Sequence, residues 1–273
     1  MGLPLKARVA RWRYIVPNAI TCASLVVGLL ASVQALVHQN YLEAAWLVIL
    51  SVLLDKLDGT AARALKATSA IGVQLDSFAD FVTFGVAPGA LLYAVGSKMH
   101  ASGTGLWGGE AGGILIPALC AGYVVLACLR LAKFNVLAAI QPAGGPKVFY
   151  GLPSTFAGGL IAVFFILAHK YELRGVIEAL PIMAFGFGLL MLSNLPLPKL
   201  VPRKNVAFNV FQIACIVLAY VSGFMRILPE YMLVVVTTYA LVGFGWGIIH
   251  RKELLAARNF DPYEAPDPPD EED

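Results

Sequence analysis

Long apolar runs dominate the pattern of hydrophobic and polar positions along this chain. An α-helix needs about 20 mostly apolar residues to cross a bilayer, and eight segments have roughly that character. Charged residues fall mainly at the ends of these runs, where loops are expected. The predicted spans are 15–37, 41–63, 72–96, 113–137, 152–169, 176–195, 206–222 and 230–249. The pattern therefore predicts an all-α, polytopic integral membrane protein with about eight transmembrane helices.

The composition supports this class and excludes most others. Of 273 residues, 59% are hydrophobic and 14% are charged, whereas globular chains average roughly 45–50% apolar and about 25% charged residues. A soluble domain of this size cannot bury so much apolar surface. We expect residues 1–258 to form one integral membrane domain. Residues 259–273 carry seven acidic residues and four prolines, which predicts a disordered acidic tail.

The basic residues are distributed unevenly between the two sets of loops. Sixteen of the 20 Lys and Arg residues fall on the side that holds both termini, and an excess of Lys and Arg marks cytoplasmic loops. We therefore expect a multi-pass protein of the cell inner membrane, with both termini and the 55–80 region in the cytoplasm. Because these bases are scattered among loops, binding to nucleic acid is not expected.

Four aspartates form the densest cluster of charge outside the tail. Asp55 and Asp58 lie three residues apart at the end of the second span, and Asp76 and Asp80 lie four apart at the start of the third. Both spacings place the two side chains on one helix face. A short connection makes the two helices antiparallel neighbours, so the four carboxylates can converge.

Convergent carboxylates at a membrane edge need a cationic partner, because an ionisable group there is costly unless it is paired. The neighbouring Lys56 and Arg63 cannot neutralise four anions. Hard divalent cations such as Mg²⁺ or Mn²⁺ prefer oxygen ligands of this kind. The plainer alternative is that the aspartates are solvated helix caps. A transporter for divalent cations is a remote alternative, because transport sites usually lie near the bilayer midplane.

The aspartates also belong to a longer spaced motif, D-x2-D-G-x2-A-R-x8-G-x3-D-x3-D, over residues 55–80. This motif resembles the signature of the CDP-alcohol phosphotransferases. Further segments are similar to the phosphatidylserine synthase branch of that family. They are residues 76–80 with 84–88, 129–135 and 149–154. One departure is Lys133, where the branch is expected to have arginine; its charge is kept but a bidentate donor is lost.

The resemblance implies a fold, a reaction and a set of residue roles. In that reaction, the hydroxyl of L-serine attacks the lipid-side phosphorus of CDP-diacylglycerol, which gives phosphatidylserine and CMP. Asp80 is implied as the proton acceptor and, with the other three aspartates, as a ligand of two divalent cations, Mg²⁺ or Mn²⁺. The residues implied to bind the CDP-lipid are Asn18, Thr21, Gly59, Arg63 and Ser69. The resemblance also implies a homodimer embedded in membrane lipids.

A separate set of residues is a candidate for binding the acceptor alcohol. A serine carboxylate needs a cation or several N–H donors, and the candidates are Arg130, Lys133 and Asn135 near the end of the fourth span. The alternative is that the two bases snorkel to lipid phosphates. Glycerol 3-phosphate, inositol phosphate or choline can replace serine in this chemistry. An ether-lipid CDP donor is also open, because the sequence does not reveal the lipid chains.

Overall fold

The computed structural model describes residues 5–140, 148–199, 205–251 and 254, and the predicted tail 259–273 lies outside them. Nine α-helices make up most of the described chain. They are α1 Leu5–Leu36, α2 Tyr41–Ala64, α3 Ala70–Asp80, α4 Ala87–Ala101, α5 Glu110–Ile140, α6 Ser154–Lys170, α7 Arg174–Leu192, α8 Val206–Met225 and α9 Pro229–Ile249. A π-helical turn, Phe81–Val86, joins α3 to α4 without a break. Two short strands complete the structure, β1 Val148–Tyr150 and β2 Pro196–Pro198.

The all-α membrane fold predicted from the sequence is confirmed. Each predicted span falls on one continuous helical segment, with α3, the π turn and α4 acting as one. Six of these segments are apolar and long enough to cross a bilayer. The other two are α2, which ends in a charged stretch, and α6, which has only 17 residues. The figure of eight membrane crossings therefore stays a prediction.

Helix α6 lies at the centre of the bundle and packs against α2, α7 and α9. Most of its residues are buried, and Ile161 and Ala162 have no exposed surface. By contrast, α8 exposes large apolar side chains such as Phe211 (66% exposed) and Val210 (60%). An exposed apolar face of this kind suits contact with lipid chains in a membrane.

The connection between α2 and α3 brings two charged helix ends together. It spans only residues 65–69, and Lys66 in it has a φ of 49°. A left-handed residue just after a helix allows the chain to turn sharply. Ser69 then caps α3, because its hydroxyl oxygen accepts a hydrogen bond from the amide of Gly72 at 3.0 Å. As a result, the charged end of α2 and the aspartates of α3 come close together, although the two helices pack on α1 rather than along each other, contrary to the side-by-side packing expected from the sequence.

The other end of the bundle holds its few cations in pairs. Arg226 donates two hydrogen bonds to the carboxylate of Glu43 at the start of α2, which raises the pKa of the guanidinium further. Lys170 pairs with Glu230, and Lys98 lies over the ring of Tyr41. The base-poor end predicted from the sequence thus has acidic or aromatic partners for these cations.

A small antiparallel sheet closes the bundle near the aspartate end. Val148 pairs with Pro198 and Tyr150 with Pro196. Gly151, with a φ of 84°, follows β1 at a point where a Cβ would lie 2.3 Å from the carbonyl oxygen of Met191. Helix α9 packs on the same sheet through Gly247, where a Cβ would lie 1.7 Å from the carbonyl oxygen of Pro196.

The packing of α9 on β2 predicts different effects of alanine at two glycines of α9. Gly247→Ala forces α9 away from β2, since backbone atoms cannot yield, and overpacking typically costs about 1–3 kcal/mol. Gly245→Ala is the matched control, because no atom lies within 4 Å of its Cβ position. Both variants gain the same helix propensity. The melting temperature in detergent should fall for Gly247→Ala only; equal values for the two variants would contradict this packing.

Candidate active site

Three carboxylates from α2 and α3 meet beside α1, on which both helices pack. Asp55 comes from α2, and Asp76 and Asp80 come from α3. One oxygen of each lies within 4.8 Å of the others. Lys56 places its ammonium 2.5 Å from Asp55 Oδ2. This ion pair leaves Asp76 and Asp80 without a salt bridge among the described residues, and an all-oxygen donor set of this size fits a hard divalent cation.

Asp58, the fourth predicted ligand, lines the same cleft but has a different immediate partner. It is only 5% exposed. Its Oδ2 accepts a hydrogen bond of 2.7 Å from the hydroxyl of Thr21 on α1. A buried carboxylate keeps a defined position when a neighbour donates to it. Thr21 therefore ties α1 to the aspartate end of α2.

An open cleft of about 380 Å³ contains most of the predicted site. Its wall includes all four aspartates, all five predicted CDP-lipid residues and Arg130. The structure thus brings together ten residues from α1, α2, α3 and α5 that the sequence connects only through a motif and a resemblance. These residues are Asn18, Thr21, Asp55, Asp58, Gly59, Arg63, Ser69, Asp76, Asp80 and Arg130.

Two glycines of the motif leave part of the cleft wall without side chains. A Cβ at position 59 would lie 3.5 Å from Nη1 of Arg63, so the guanidinium lies along the helix surface beside Gly59. A Cβ at position 72 would lie 3.1 Å from both Asn18 Oδ1 and Ser69 Oγ. Without side chains at these positions, polar groups of three elements come close to the helix backbone.

Arg130 stands at the junction of the cleft with a second, smaller cavity. It is 8% exposed, its Nη1 donates to Ser154 Oγ at 3.2 Å, and its guanidinium lies 5.0 Å from the centre of the Phe134 ring. The smaller cavity, of about 80 Å³, shares Arg130, Phe134 and Phe149 with the cleft. A buried guanidinium that reaches two cavities can bind an anion placed between them.

The other two predicted serine contacts make bonds between helices. The Lys133 ammonium donates to Leu192 O at 2.8 Å and to Asn194 Oδ1 at 2.9 Å. Lys133 also lines the smaller cavity. Asn135 Nδ2 donates to Ser77 Oγ at 3.0 Å, which joins α5 to α3 beside Asp76. Asn135 is not part of either cavity wall.

The structure adds residues that sequence reasoning did not place in the site. Phe149 lines both cavities, and Lys199 lines the smaller one with its ammonium 4.9 Å from the Phe149 ring centre. Partial burial lowers the pKa of Lys199. The segment 149–154 was a signal for Phe149, whereas Lys199 carried no signal beyond being a loop charge. Its position depends on the pairing of β1 with β2. Strands of three residues are too short to be recognised from the pattern of hydrophobic positions.

The geometry suits an anionic phosphate ester. Carboxylates that can hold divalent cations lie at one side of the cleft, and Arg63 and Arg130 offer permanent cations elsewhere on its wall. Such a combination neutralises a diphosphate and stabilises charge on a departing phosphate. The opening of the cleft leaves room for a substrate much larger than a metal ion.

Comparisons with known proteins agree with this geometry. Relatives named CDP-diacylglycerol–serine O-phosphatidyltransferase include one from Helicobacter pylori (strain J99), 33% identical over 77% of this chain and 81% of its own length. Another, from Bacillus subtilis, is 35% identical over 71% of this chain and 94% of its own. A third, from Methanocaldococcus jannaschii, is 30% identical over 84% and 92%. The family model for CDP-alcohol phosphatidyltransferases matches residues 14–193. The chain belongs to the CDP-alcohol phosphatidyltransferase family.

Proposed function

We propose that this protein is a phosphatidylserine synthase, which transfers the phosphatidyl group of CDP-diacylglycerol to L-serine. The observation that carries the proposal is the shared cleft, in which the carboxylate cluster and all predicted nucleotide contacts form one wall. The names of the similar proteins support serine as the acceptor and CDP-diacylglycerol as the donor.

The carboxylates fit two divalent cations, Mg²⁺ or Mn²⁺, as the cofactors. Asp55, Asp76 and Asp80 offer oxygens within 4.8 Å of one another, and Asp58 lies on the same wall. When bound, the cations neutralise the diphosphate and stabilise negative charge on CMP as it leaves. Histidine and cysteine are absent from the cleft wall as described, and a set of oxygen ligands favours these hard cations over zinc.

The chain's own residues then bind the donor and move one proton. Gly59, Arg63 and Ser69, with Asn18 and Thr21, hold the CDP portion, and Arg63 adds a positive charge. The serine hydroxyl attacks the lipid-side phosphorus, and the bond from that phosphorus to the oxygen of CMP breaks. Asp80 accepts the hydroxyl proton, because a hydroxyl is a weak nucleophile without a positioned base. Direct transfer requires no covalent enzyme intermediate.

Serine is proposed to bind where the two cavities meet. Arg130 would pair with the serine carboxylate and keep the hydroxyl on the aspartate side. Lys133 adds charge to the wall of the smaller cavity, while Asn135 holds α5 against α3. Lys199 places a further ammonium on that wall. This arrangement gives a small, anionic acceptor its own place beside the larger donor.

The orientation in the membrane is part of the same proposal. The excess of Lys and Arg on one side supports a cytoplasmic site and cytoplasmic termini. CMP would then be released into the cytoplasm. The location in the inner membrane follows the same reasoning, and a homodimer among membrane lipids stays an expectation from the family resemblance.

The first test is the reaction itself. Purified protein is incubated with CDP-diacylglycerol, Mg²⁺ or Mn²⁺ and one alcohol at a time, and both CMP release and the lipid product are measured. We expect CMP only with L-serine and a divalent cation, together with phosphatidylserine. Asp80→Asn is the control for background hydrolysis and should reduce turnover at least 100-fold, since it removes both the base and a metal ligand.

Other results of this assay would assign a different acceptor or a different donor. CMP release with glycerol 3-phosphate, inositol phosphate or choline instead of serine would overturn the acceptor. Release only from an ether-lipid CDP donor would overturn the donor. Near-normal turnover in Asp80→Asn would remove the proposed role of this carboxylate.

A second prediction concerns Thr21 and its bond to Asp58. Thr21→Val removes the hydroxyl that donates to the carboxylate, and loss of a group that orients a metal ligand typically weakens metal binding 10–100-fold. Thr21→Ser keeps the donor and should bind Mn²⁺ like the wild type. Thr237→Val is the matched control, since its hydroxyl also lies near a carbonyl four residues back but near no carboxylate. Mn²⁺ binding is followed by electron paramagnetic resonance; equal affinities for all variants would refute the role of Thr21.

A third prediction separates the two substrates. Arg130→Lys keeps the charge but loses the planar pair of donors that fits a carboxylate. We expect the KM for serine to rise at least 10-fold while the KM for CDP-diacylglycerol changes less than threefold. Lys66→Met, in the α2–α3 connection and outside both cavities, is the control. A rise confined to the KM for CDP-diacylglycerol would place Arg130 on the donor instead.

A further inference from the structure

A π-helical turn follows the last aspartate of the site directly. It spans Phe81–Val86, and the amide of Ala87 still donates to the carbonyl of Val82, five residues back. Such turns inside long helices are uncommon and occur frequently at functional sites. The turn here separates the helix that carries Asp76 and Asp80 from the helix that packs in the core.

The π turn sets the direction in which these aspartates point. An α-helix rotates about 100° per residue, and a π turn accommodates one extra residue without that rotation. Helix α4 cannot rotate to compensate, because it is fixed on α5 by two glycines. A Cβ at Gly89 would lie 2.7 Å from Val124, and one at Gly96 would lie 2.8 Å from Ile116. A regular α-helix through this region would therefore turn both carboxylates about 100° from their present direction.

A proline just after the turn leaves one carbonyl without its usual α-helical donor. In an α-helix the carbonyl of Phe84 accepts from the amide four residues on, but that residue is Pro88, which has no N–H. The hydroxyl of Tyr123 donates to this carbonyl instead, at 2.5 Å. Tyr123 and Phe84 are both fully buried. A buried carbonyl without a donor costs about 1–3 kcal/mol, so the tyrosine hydroxyl stabilises the helix in this form.

The same face of α5 also carries the cation of the site. Tyr123 and Arg130 lie seven residues apart, which is two helical turns. One rigid helix thus holds the π turn through Tyr123 and places Arg130 on the cleft wall beside Asp80. The distance between the carboxylates and the guanidinium depends on both contacts.

We infer that Tyr123 is a positioning residue of the active site: its hydrogen bond to the carbonyl of Phe84 maintains the π turn that aims Asp76 and Asp80 into the cleft. The inference rests on the proposed function in one respect, that these aspartates bind the divalent cations. Tyr123 touches neither the cleft nor the carboxylates, so its effect is transmitted through the helix.

The test compares two tyrosines that make the same kind of bond. Tyr123→Phe removes the hydroxyl at the π turn. Tyr231→Phe is the matched control, because its hydroxyl donates to the carbonyl of Cys215 between α8 and α9, away from the site. Mn²⁺ binding to the purified protein, without substrate, is measured by electron paramagnetic resonance alongside the melting temperature and kcat. We expect Tyr123→Phe to weaken Mn²⁺ binding at least 10-fold and to lower kcat, and Tyr231→Phe to bind Mn²⁺ within twofold of wild type.

A second variant keeps the inference testable if Tyr123→Phe does not fold. Pro88→Ala supplies the missing amide to the carbonyl of Phe84, so a regular α-helix becomes possible with Tyr123 in place. It should keep its melting temperature and bind Mn²⁺ more weakly. Wild-type Mn²⁺ affinity in a folded Tyr123→Phe protein overturns the inference, and if that variant does not fold, wild-type affinity in Pro88→Ala overturns it. A wild-type protein that binds no Mn²⁺ would instead refute the metal site of the proposed function.

Discussion

Mutual repulsion of the carboxylates is the constraint on which the rest of this structure depends. Two unit charges 4.8 Å apart repel by roughly 3–4 kcal/mol at an effective dielectric constant near 20, and the carboxylate oxygens of Asp55, Asp76 and Asp80 lie within this distance of one another. Side chains on mobile loops would move apart. Here they stand on α2 and α3, which are joined by a connection of only five residues and both pack on α1. The site is thus kept ready for cations by rigid elements.

The neighbouring helices reinforce this arrangement from two sides. On one side α1 donates from Thr21 to the buried Asp58. On the other side α5 bonds to Ser77 through Asn135 and brings the buried Arg130 to the cleft wall. Each contact either fixes a helix or adds positive charge near the carboxylates. These polar residues of α1 and α5 therefore support the carboxylate cluster from both sides.

The sequence predicted the helices, and the structure brings the residues predicted for the donor side into one cleft. Apolar runs of bilayer length have few alternatives to helices, and the spacing of Asp55, Asp58, Asp76 and Asp80 places each pair on one helix face. The π turn was not predicted, because its six residues, Phe81–Val86, are as apolar as any helical stretch. Lys199 was missed because its place depends on tertiary pairing of two short strands. The hydrogen bonds of Lys133 to the end of α7 could not be predicted either, because they also depend on tertiary packing. They join residues about 60 positions apart.

The two halves of the proposed site are built from different parts of the chain. The motif helices α2 and α3, with α1, supply the wall for the nucleotide and the cations, and all of these groups lie within residues 17–80. The smaller cavity instead takes its wall from α5 and from the segments around β1 and β2. Among the described residues, Arg130, Phe134 and Phe149 belong to both. Under the proposed function, the acceptor cavity can therefore change without disturbing the carboxylates, provided that Arg130 stays in place. Under the same proposal, the motif of residues 55–80 identifies the donor chemistry, while α5 and the small sheet would determine the choice of acceptor.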